Sequence, residues 1–318
     1  MQRTHSHTDA KSDLAVIVVS FNTRQMVISC IESILQETRR RPFEIIVFDN
    51  ASADGTADDI RKQFPDIRLI ASEQNLGFAA ANNLAAGEAQ GKYLLLLNPD
   101  TVVLNGAIDR LMDFAEKHPE AGIFGGRTVF EDRSLNATSC WRAPSLWGFL
   151  CRALGLDSCF RSSSLFNRDA YGGWQRDSVR EVDIVSGCFL LIRREIWEEL
   201  GGFDRDFFMY AEDWDLCLRA RTAGYRCLFC PDAEIIHYGG ASETVLEDKM
   251  VRLLETKVRL CRKHWSPARA GVAATLLDLW VLTRIAGYGC AGLFGRARRA
   301  QFQCWKSVWA RRAHWHGA

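Results

Sequence analysis

The sequence lacks the glycine-rich loops with which dinucleotide-binding and P-loop folds hold phosphates. The segment "VVSFNTRQM" (18–26), which includes the end of the first predicted strand, contains no glycine, and no G-x-x-x-x-G-K-[ST] motif occurs. The first absence argues against a G-x-G-x-x-G dinucleotide site, and the second argues against a P-loop. A nucleotide bound by this chain would have to be held in another way.

The sequence also lacks an apolar leader, because residues 1–13 are polar and rich in His, Ser and Thr. We expect these residues to be a disordered tail on a cytosolic protein. The eleven cysteines, an odd number, favour reduced and mostly buried thiols. Cys227 and Cys230 form a Cys-x-x-Cys pair, but no second pair matches it, so structural thiols are favoured over a zinc site.

Charge is distributed unevenly, although the formal net charge is only +1. Residues 262–318 contain 10 Lys and Arg and a single acid, whereas the residues before them contain 30 basic and 38 acidic residues. This tail holds five tryptophans, and its longest uncharged run, 285–295, is too short to cross a bilayer. We expect residues 265–318 to be a helical segment on an anionic membrane surface. A packed helical hairpin and, least favoured, a nucleic-acid patch are the alternatives.

Short apolar runs alternate with segments of helical periodicity as far as residue 126. The runs have no polar face, which is typical of strands buried in a parallel sheet. The alternation predicts an α/β fold, with helices on both faces of a mostly parallel central sheet. The predicted strands lie at 14–22, 43–50, 67–72, 92–100 and 121–126, and the predicted helices at 26–37, 55–64, 79–89 and 107–118.

The alternation stops after Gly126. Residues 127–181 are rich in Arg, Ser, Trp and Phe without clear periodicity, so we expect a variable segment at the edge of the fold. Regular elements are then predicted as a strand and a helix within 182–204, a helix at 212–224, a strand at 225–237 and a helix at 243–264.

Polar residues follow four of the predicted strands and should meet at one edge of the sheet, where parallel folds bind ligands. Each group alone is explained as a turn, a helix cap or a glycine loop. Together they suit a nucleotide, because carboxylates can accept from a base or hold a cation while amides and hydroxyls hold base and ribose. The residues are Ser20, Phe21 and Asn22; Asp49, Asn50, Ala51 and Ser52; Asn75, Leu76, Gly77 and Phe78; and Asn98, Pro99 and Asp100.

Three acids, Glu212, Asp213 and Asp215, crowd the start of the helix predicted in "FFMYAEDWDLCLRA". The helix dipole favours acids in a first turn, which accounts for one or two of them but not for the aromatic residues before them. A carboxylate in an apolar-walled pocket is a good general base. His237 ends the next strand. A lone His is more often structural, but this position also suits the same sheet edge.

Seven segments, in order, resemble the motif set of family 2 glycosyltransferases, and more narrowly that of the bacterial rhamnosyltransferase-like members. They are "VIVVSFN", "FDNASADGT", "NLGFAAANN", "LLLLNPD", "VSGCFLLIRR", "GGFDRDFFMYAEDWDLCLRARTAGY" and "IIHYGGAS". The resemblance covers residues 14–264 and implies a GT-A fold, with a nucleotide-sugar-binding half at 14–126 and an acceptor-binding half at 127–264. It implies inverting transfer from a nucleoside-diphosphate sugar, with dTDP-L-rhamnose expected, to a polyprenyl-linked or polysaccharide acceptor of the cell envelope.

The resemblance also implies roles for individual residues. Asp213 would be the catalytic base, and Glu212, Trp214 and Asp215 would support it or contact the acceptor. Asp100 would hold Mg²⁺ or Mn²⁺ against the diphosphate, with His237 as a further ligand. The nucleotide-sugar site would consist of Ser20, Asn22, Asp49, which reads the base, Asn75, Gly77, Asn98 and Asp100. Many family members carry Asp-x-Asp at the fourth strand end, whereas Asn98 stands here in place of the first acid.

Other functions stay open at the level of sequence. A sugar nucleotidyltransferase would share the sheet, but it would need a Gly-rich, basic loop after the first strand, which this sequence lacks. A protein that only binds its ligand, without catalysis, would be expected to have lost one of the two adjacent acids, yet Glu212 and Asp213 are both present. A transferase of the same family with another donor sugar is a third alternative. We further expect a peripheral protein on the cytoplasmic face of the membrane, and a homodimer is compatible with the sequence.

Overall fold

The structure is a computed structural model that describes residues 12–239, 245–291 and 296–317. Most of the predicted N-terminal tail and the first two residues of the helix predicted at 243–264 lie outside the described residues. The strands are β1 (Leu14–Ser20), β2 (Phe43–Asp49), β3 (Arg68–Ala71), β4 (Tyr93–Leu97), β5 (Thr101–Val103), β6 (Ala121–Val129), β7 (Cys140–Trp141), β8 (Arg180–Val182), β9 (Ile184–Val185), β10 (Phe189–Arg193) and β11 (Arg226–His237). The α-helices are α1 (Arg24–Glu37), α2 (Thr56–Gln63), α3 (Phe78–Glu88), α4 (Ala107–Lys117), α5 (Leu146–Ala153), α6 (Leu156–Cys159), α7 (Arg194–Glu199), α8 (Glu212–Thr222), α9 (Leu246–His264), α10 (Pro267–Ala291), α11 (Arg296–Ala310) and α12 (Ala313–Gly317).

One nine-stranded sheet forms the centre of the molecule. Its order is β3-β2-β1-β4-β10-β6-β11-β5, with β8 beside β11. Strands β3, β2, β1, β4, β6 and β11 run in one direction, and β10, β5 and β8 run in the other. The predicted mostly parallel sheet is therefore confirmed. The insertion of antiparallel β10 between β4 and β6 was not predicted.

The first strand shows why the sheet has no polar face. Ala15, Ile17 and Val19 belong to a core cluster built with α3, α7 and α8. The intervening residues, such as Val16 and Val18, belong to a second cluster built with α1 and α4. Because successive side chains of a strand point to opposite faces, both faces must be apolar when helices cover both. The predicted helices on both faces of the sheet are confirmed.

Residues 127–181 are more ordered than the sequence suggested. Arg176 is buried, and its guanidinium donates to the carbonyl oxygens of Trp174 (2.9 Å), Ala170 (2.8 Å) and Ala137 (3.2 Å). The guanidinium also lies 5.0 Å from the centre of the Trp174 ring. An arginine that crosslinks irregular backbone leaves no periodicity in the sequence, which is why the pattern was uninformative here.

The C-terminal helices pack on the domain. Helices α9, α10, α11 and α12 form a third apolar cluster together with Phe149 of α5. Trp315 is fully buried, and its indole N–H donates to Asp278 (3.0 Å), the single acid of the tail. The described residues thus form a packed helical bundle, as in the alternative reading of the tail. Trp315 therefore fills this core and does not lie at a membrane surface.

All eleven cysteines are unpaired, and nine of them are buried, as the sequence predicted. Cys227 and Cys230 are buried residues of β11. Their thiols therefore serve as small apolar core groups, which agrees with the structural interpretation of the Cys-x-x-Cys pair.

Candidate active site

Asn22 joins the loops that follow β1 and β2. Its side-chain oxygen accepts a hydrogen bond from the N–H of Ala53 (2.8 Å), and its own N–H donates to Ser52 Oγ (2.9 Å). Asn22 and Ala51 have φ values of 51° and 67°, which cost a non-glycine residue about 1 kcal/mol each. Strain of this kind is found mostly at binding sites. The hydrogen bonds of Asn22 fix the two loops relative to each other at the sheet edge.

Asp49 ends β2 with one carboxylate oxygen unpaired. Its Oδ2 accepts weakly from the N–H of Ser52 (3.4 Å), while Oδ1 is buried and has no partner among the described residues. Burial raises the pKa of this carboxyl group. An unsatisfied acceptor beside an open loop is the group that a base N–H would satisfy. The neighbouring Ser20 differs, because its hydroxyl is fully buried 2.9 Å from Thr23 Oγ1, which favours an indirect role in bracing the turn.

Asn50, to which the sequence assigned no individual role, organises the loop after β3. Its Nδ2 donates to Asn75 Oδ1 (2.9 Å), and its Oδ1 accepts from the N–H of Leu76 (2.8 Å). Gly77 follows with φ 81°, and a Cβ there would lie 2.5 Å from the carbonyl oxygen of Phe208. Only glycine fits this close approach. The contact joins the loop after β3 to the loop before α8.

Asn98, Asp100 and His237 meet where β4 and β11 end. The Nε2 atom of His237 lies 3.4 Å from Asp100 Oδ1 and 3.4 Å from Asn98 Nδ2. The Nδ1 atom of His237 is buried without a partner among the described residues. Burial alone would lower the pKa of His237, but the neighbouring Cys188 and Asp100 raise it to about 10.

Asn98, Asp100 and His237 offer only part of the ligand set that a divalent cation needs. No set of three His, Cys, Asp or Glu side chains close enough to hold a metal ion occurs within residues 12–239, 245–291 and 296–317. One carboxylate and one amide, joined by the imidazole of His237 once it has lost its proton, nevertheless fit Mg²⁺ or Mn²⁺ when a diphosphate supplies further oxygen ligands. The residues therefore suit a cation shared between protein and ligand, and not one held by the protein alone.

Asp213 is positioned by backbone N–H groups. Its Oδ2 accepts from the N–H of Gly187 (2.8 Å), and its Oδ1 accepts from the N–H of Trp214 (2.8 Å). Burial raises the pKa of Asp213 above its ordinary value, and these two donors offset part of the rise. The turn before it is strained, because Tyr210 and Ala211 have φ values of 71° and 69°. This turn starts α8 and places Asp213 in its first turn.

Glu212 has a different environment from its neighbour. It is buried, and its Oε2 atom has no hydrogen-bond partner among the described residues. Burial, followed by the negative charge of Asp213, raises the pKa of Glu212 well above its ordinary value. Asp213 receives the N–H groups of Gly187 and Trp214, whereas a single backbone hydrogen bond acts on the Glu212 carboxyl group, so the pair keeps its proton on Glu212 and its charge on Asp213.

A short loop connects the base to the cation-binding group. Gly187, which donates to Asp213, precedes Cys188, whose carbonyl oxygen accepts from the backbone N–H of Asn98 (3.2 Å). The segment "VSGC" thus lies between Asp213 and the group formed by Asn98, Asp100 and His237. No role was predicted for this segment beyond the resemblance, because its function depends on contacts with Asp213 and Asn98, which are distant in sequence.

Asp215 is fully buried, which rules out the contact with an acceptor that the sequence left open. Its carboxylate lies 2.8 Å from His264 Nε2, 2.7 Å from Lys263 Nζ and 2.7 Å from Arg219 Nε. Burial alone would raise the pKa of Asp215, but these three partners lower it to about 2. Asp215 therefore fastens α8 to α9, in the supporting role that was the other expectation. Trp214 is half-buried, with its ring centre 6.1 Å from that of Trp141.

Known proteins resemble this chain in sequence over most of its length. The family Glycosyl transferase family 2 matches residues 15–201, more than half of the chain. An N-acetylglucosaminyl-diphospho-decaprenol L-rhamnosyltransferase of Mycobacterium tuberculosis is 29% identical over 243 residues, which are 71% of this chain and 76% of that protein. Rhamnosyltransferase WbbL of Escherichia coli is 28% identical over 233 residues, which are 70% of this chain and 82% of that protein.

Solved structures show the same fold at low sequence identity. A mannosyltransferase of Pyrobaculum calidifontis, in complex with GDP-Man and Mn²⁺, superposes with a TM-score of 0.57 at 18% identity and covers 97% of this chain and 86% of that one. GalNAc-T7, with UDP, GalNAc and Mn²⁺, has a TM-score of 0.58 at 15% identity over 96% of this chain and 57% of that one. The chain therefore belongs to glycosyl transferase family 2, as a GT-A glycosyltransferase that is similar to the family's rhamnosyltransferases.

Proposed function

We propose that this protein transfers L-rhamnose from dTDP-L-rhamnose, with inversion, to a hydroxyl group of a lipid-linked or polysaccharide acceptor in cell-envelope synthesis. Two relatives named as rhamnosyltransferases support the choice of sugar, and one of them carries a diphospho-decaprenol acceptor in its name. The observation that carries the proposal is the Gly187–Cys188 loop. Through it, an ionised carboxylate, Asp213, adjoins the residues suited to a diphosphate.

The proposed reaction is a single displacement. The acceptor oxygen forms a bond to the anomeric carbon, and its proton passes to Asp213. The bond from that carbon to the diphosphate breaks, and its electron pair leaves with the nucleoside diphosphate. Alignment of base, acceptor and leaving group accelerates such a step because the reactants no longer lose freedom of motion in the transition state.

The remaining residues would bind and orient the donor. Asp49 would accept from the base through its unpaired Oδ1, and the loops of Asn22 and Asn75 would enclose the nucleoside. Asp100 and His237 would hold a divalent cation. Mg²⁺ or Mn²⁺, when bound, supplies the counter-charge for the departing diphosphate. Glu212, kept neutral by burial, would hold the start of α8 without competing for the proton.

The C-terminal helices would place the enzyme on the cytoplasmic face of an anionic membrane. Among the described residues one helix, Pro267–Cys290, is long and apolar enough to cross a bilayer by length and composition alone, and only 28% of its most apolar 18-residue stretch is buried. One side of this helix packs into the core through residues such as Leu277 and Val281, which fits a helix lying along the surface. The outer side is exposed and uncharged at Val272, Thr275, Leu279, Leu282, Ala286 and Cys290.

A donor panel tests the proposed function. The full-length protein would be incubated with dTDP-L-rhamnose, UDP-glucose, UDP-N-acetylglucosamine or GDP-mannose, and with a short-chain lipid-diphosphate-linked sugar as acceptor. We expect acceptor-dependent release of dTDP and an inverted linkage in the product, seen by NMR. A faster reaction with another donor would favour the alternative within the family. Synthesis of a sugar nucleotide from dTTP and a sugar phosphate would favour a nucleotidyltransferase, and binding without turnover would favour a binding module.

A further inference from the structure

Lys257 is a cation beside the candidate base that has no ionic partner. It lies on α9, and its ammonium nitrogen is 4.8 Å from the centre of the Trp214 ring, next in sequence to Asp213. Within the described part of the chain it makes a cation–π contact but no hydrogen bond or salt bridge. Aromatic faces attract cations weakly compared with a carboxylate or phosphate. Within the described residues no carboxylate forms a salt bridge with Lys257, and Asp169 and Asp213 act on its charge only from a longer distance.

The surroundings of Lys257 make this charge costly. Burial lowers its pKa to about 7, and Arg152 acts in the same direction, whereas Asp169, Cys261 and Asp213 act in the opposite direction. A desolvated ammonium group is unfavourable unless a ligand or side chain pairs with it. Such an arrangement is typical of a functional site.

Two arginines converge on the same region. Arg168 Nη1 lies 3.5 Å from Asp169 Oδ1 and is buried without an aligned hydrogen bond. Burial raises the pKa of Asp169, and Arg152, Arg168 and Lys257 lower it. Three cationic side chains thus act on the charge of one carboxylate, although Arg152 also contacts Asp157 (3.4 Å). The cluster is able to accept a further anionic group.

We propose that Lys257, with Arg152 beside it, binds the phosphate groups of the lipid-linked acceptor. This inference rests on the proposed function. In a lipid-diphosphate-linked sugar, the anionic group adjoins the sugar whose hydroxyl must reach Asp213. The donor's diphosphate is assigned elsewhere, to Asp100 and His237, on the other side of the Gly187–Cys188 loop.

The position of α5 supports this assignment. Arg152 belongs to α5, and the carbonyl oxygen of the next residue, Ala153, accepts from Thr283 Oγ1 of α10 (2.7 Å). Leu154 and Leu282, which flank these two residues in sequence, are both exposed. The phosphate subsite therefore adjoins the apolar side of α10, where a lipid chain would lie.

Kinetics with two acceptors test the subsite. One acceptor carries its sugar on a short lipid diphosphate, and the other carries the same sugar as a neutral alkyl glycoside. For Lys257→Met we expect KM for the first to rise at least tenfold, with KM for the second and the donor KM unchanged. Any change in kcat that follows from the effect of Lys257 on the pKa of Asp213 should be the same for both acceptors. Lys257→Arg should recover part of the loss, and Lys62→Met, an exposed lysine of α2, is the control. An equal rise in KM for both acceptors, or a higher KM for the donor, would overturn the assignment.

A binding measurement separates failure of the subsite from failure of the proposed function. Inorganic pyrophosphate would be titrated into the full-length protein by calorimetry in the presence of a chelator, so that the cation-dependent donor site is silent. We expect Lys257→Met to weaken this binding at least fivefold relative to Lys62→Met. Lysine-dependent binding in a protein that transfers no sugar would refute the function and keep the anion site. Binding that is absent or insensitive to Lys257→Met would refute the anion site itself.

Discussion

Glu212 and Asp213 are adjacent acids that differ in their hydrogen bonds. Only Asp213 receives two backbone N–H groups, and Glu212 has a buried oxygen without a described partner. We therefore expect Asp213→Asn to lower kcat by about 10²–10⁴-fold, the range for loss of a general base, with donor affinity retained. Glu212→Gln should keep most of its activity, because it replaces one neutral group with another. For each variant, steady-state transfer assays measure kcat, and calorimetry measures donor affinity. Near wild-type turnover of Asp213→Asn would show that the base assignment is wrong.

Asp100 provides the single carboxylate of the proposed cation group. We expect the chelated enzyme to be inactive and to regain activity on titration with Mg²⁺ or Mn²⁺. In Asp100→Asn the half-saturating metal concentration should rise by about tenfold or more, in line with the loss of a charged ligand. Asp66→Asn, at an exposed position, is the matched control. Full activity in chelator would contradict the role of Asp100.

At the scale of elements, Asp215 of α8 binds Lys263 and His264 of α9, and Arg219 of α8 is its third partner. Removing one member of a buried ion pair costs about 3–5 kcal/mol, so we expect Asp215→Asn to lower the free energy of unfolding by about 3 kcal/mol. The lowered pKa of Asp215 means that its contribution is present above about pH 4, near the unfolded value, and is lost as the pH falls towards 2. Urea unfolding at pH 7 and pH 3 measures this. The destabilisation by Asp215→Asn should be smaller at pH 3, and an equal destabilisation at both values would argue against the ion pairs.

The sequence predicted the first half of the fold well, and the reason is physical. Strands β1, β2 and β4 are mainly apolar, and together with β3 they alternate with helices of clear period, so the local pattern is enough to predict them. Strand β10 has the same composition, but its antiparallel place between β4 and β6 is decided by partners about 70 to 100 residues away. Strand β5, only three residues long, forms because β11 pairs with it. Local pattern carries no information about such pairings.

The candidate site was predictable where polar or acidic residues coincide with the end of a strand or the start of a helix. Asp49 ends β2, Asp100 follows β4, and Asp213 lies in the first turn of α8. Asn50 and Lys257 were not singled out, because an amide that braces a loop and a lysine beside a tryptophan 43 residues away leave no local signal. Their roles depend on distances that only the folded chain defines.

At the scale of the whole molecule, the bundle formed by α9, α10, α11 and α12 changes how membrane docking should be tested. Deleting residues 266–318 would remove the apolar partners of Leu254 and Val258. The truncated protein would expose part of a core, and exposed apolar surface causes aggregation and unspecific binding. Substitutions on the outer side of α10 avoid this, because those side chains make no core contact.

We expect the triple variant Val272→Ser, Leu279→Gln, Leu282→Gln to lose most of its affinity for anionic vesicles. These three side chains are exposed, and each buried CH₂ group contributes about 0.8 kcal/mol to membrane affinity, so the loss should exceed tenfold. Co-sedimentation with vesicles containing phosphatidylglycerol measures binding, and melting temperature confirms that the fold is intact. The control carries Leu35→Gln and Leu84→Gln, two equally exposed leucines of α1 and α3, and should bind as the wild type does. Because the exposed arginines of α11 are unchanged, a triple variant that binds normally would show that charge alone holds the protein at the membrane and that the apolar side of α10 does not.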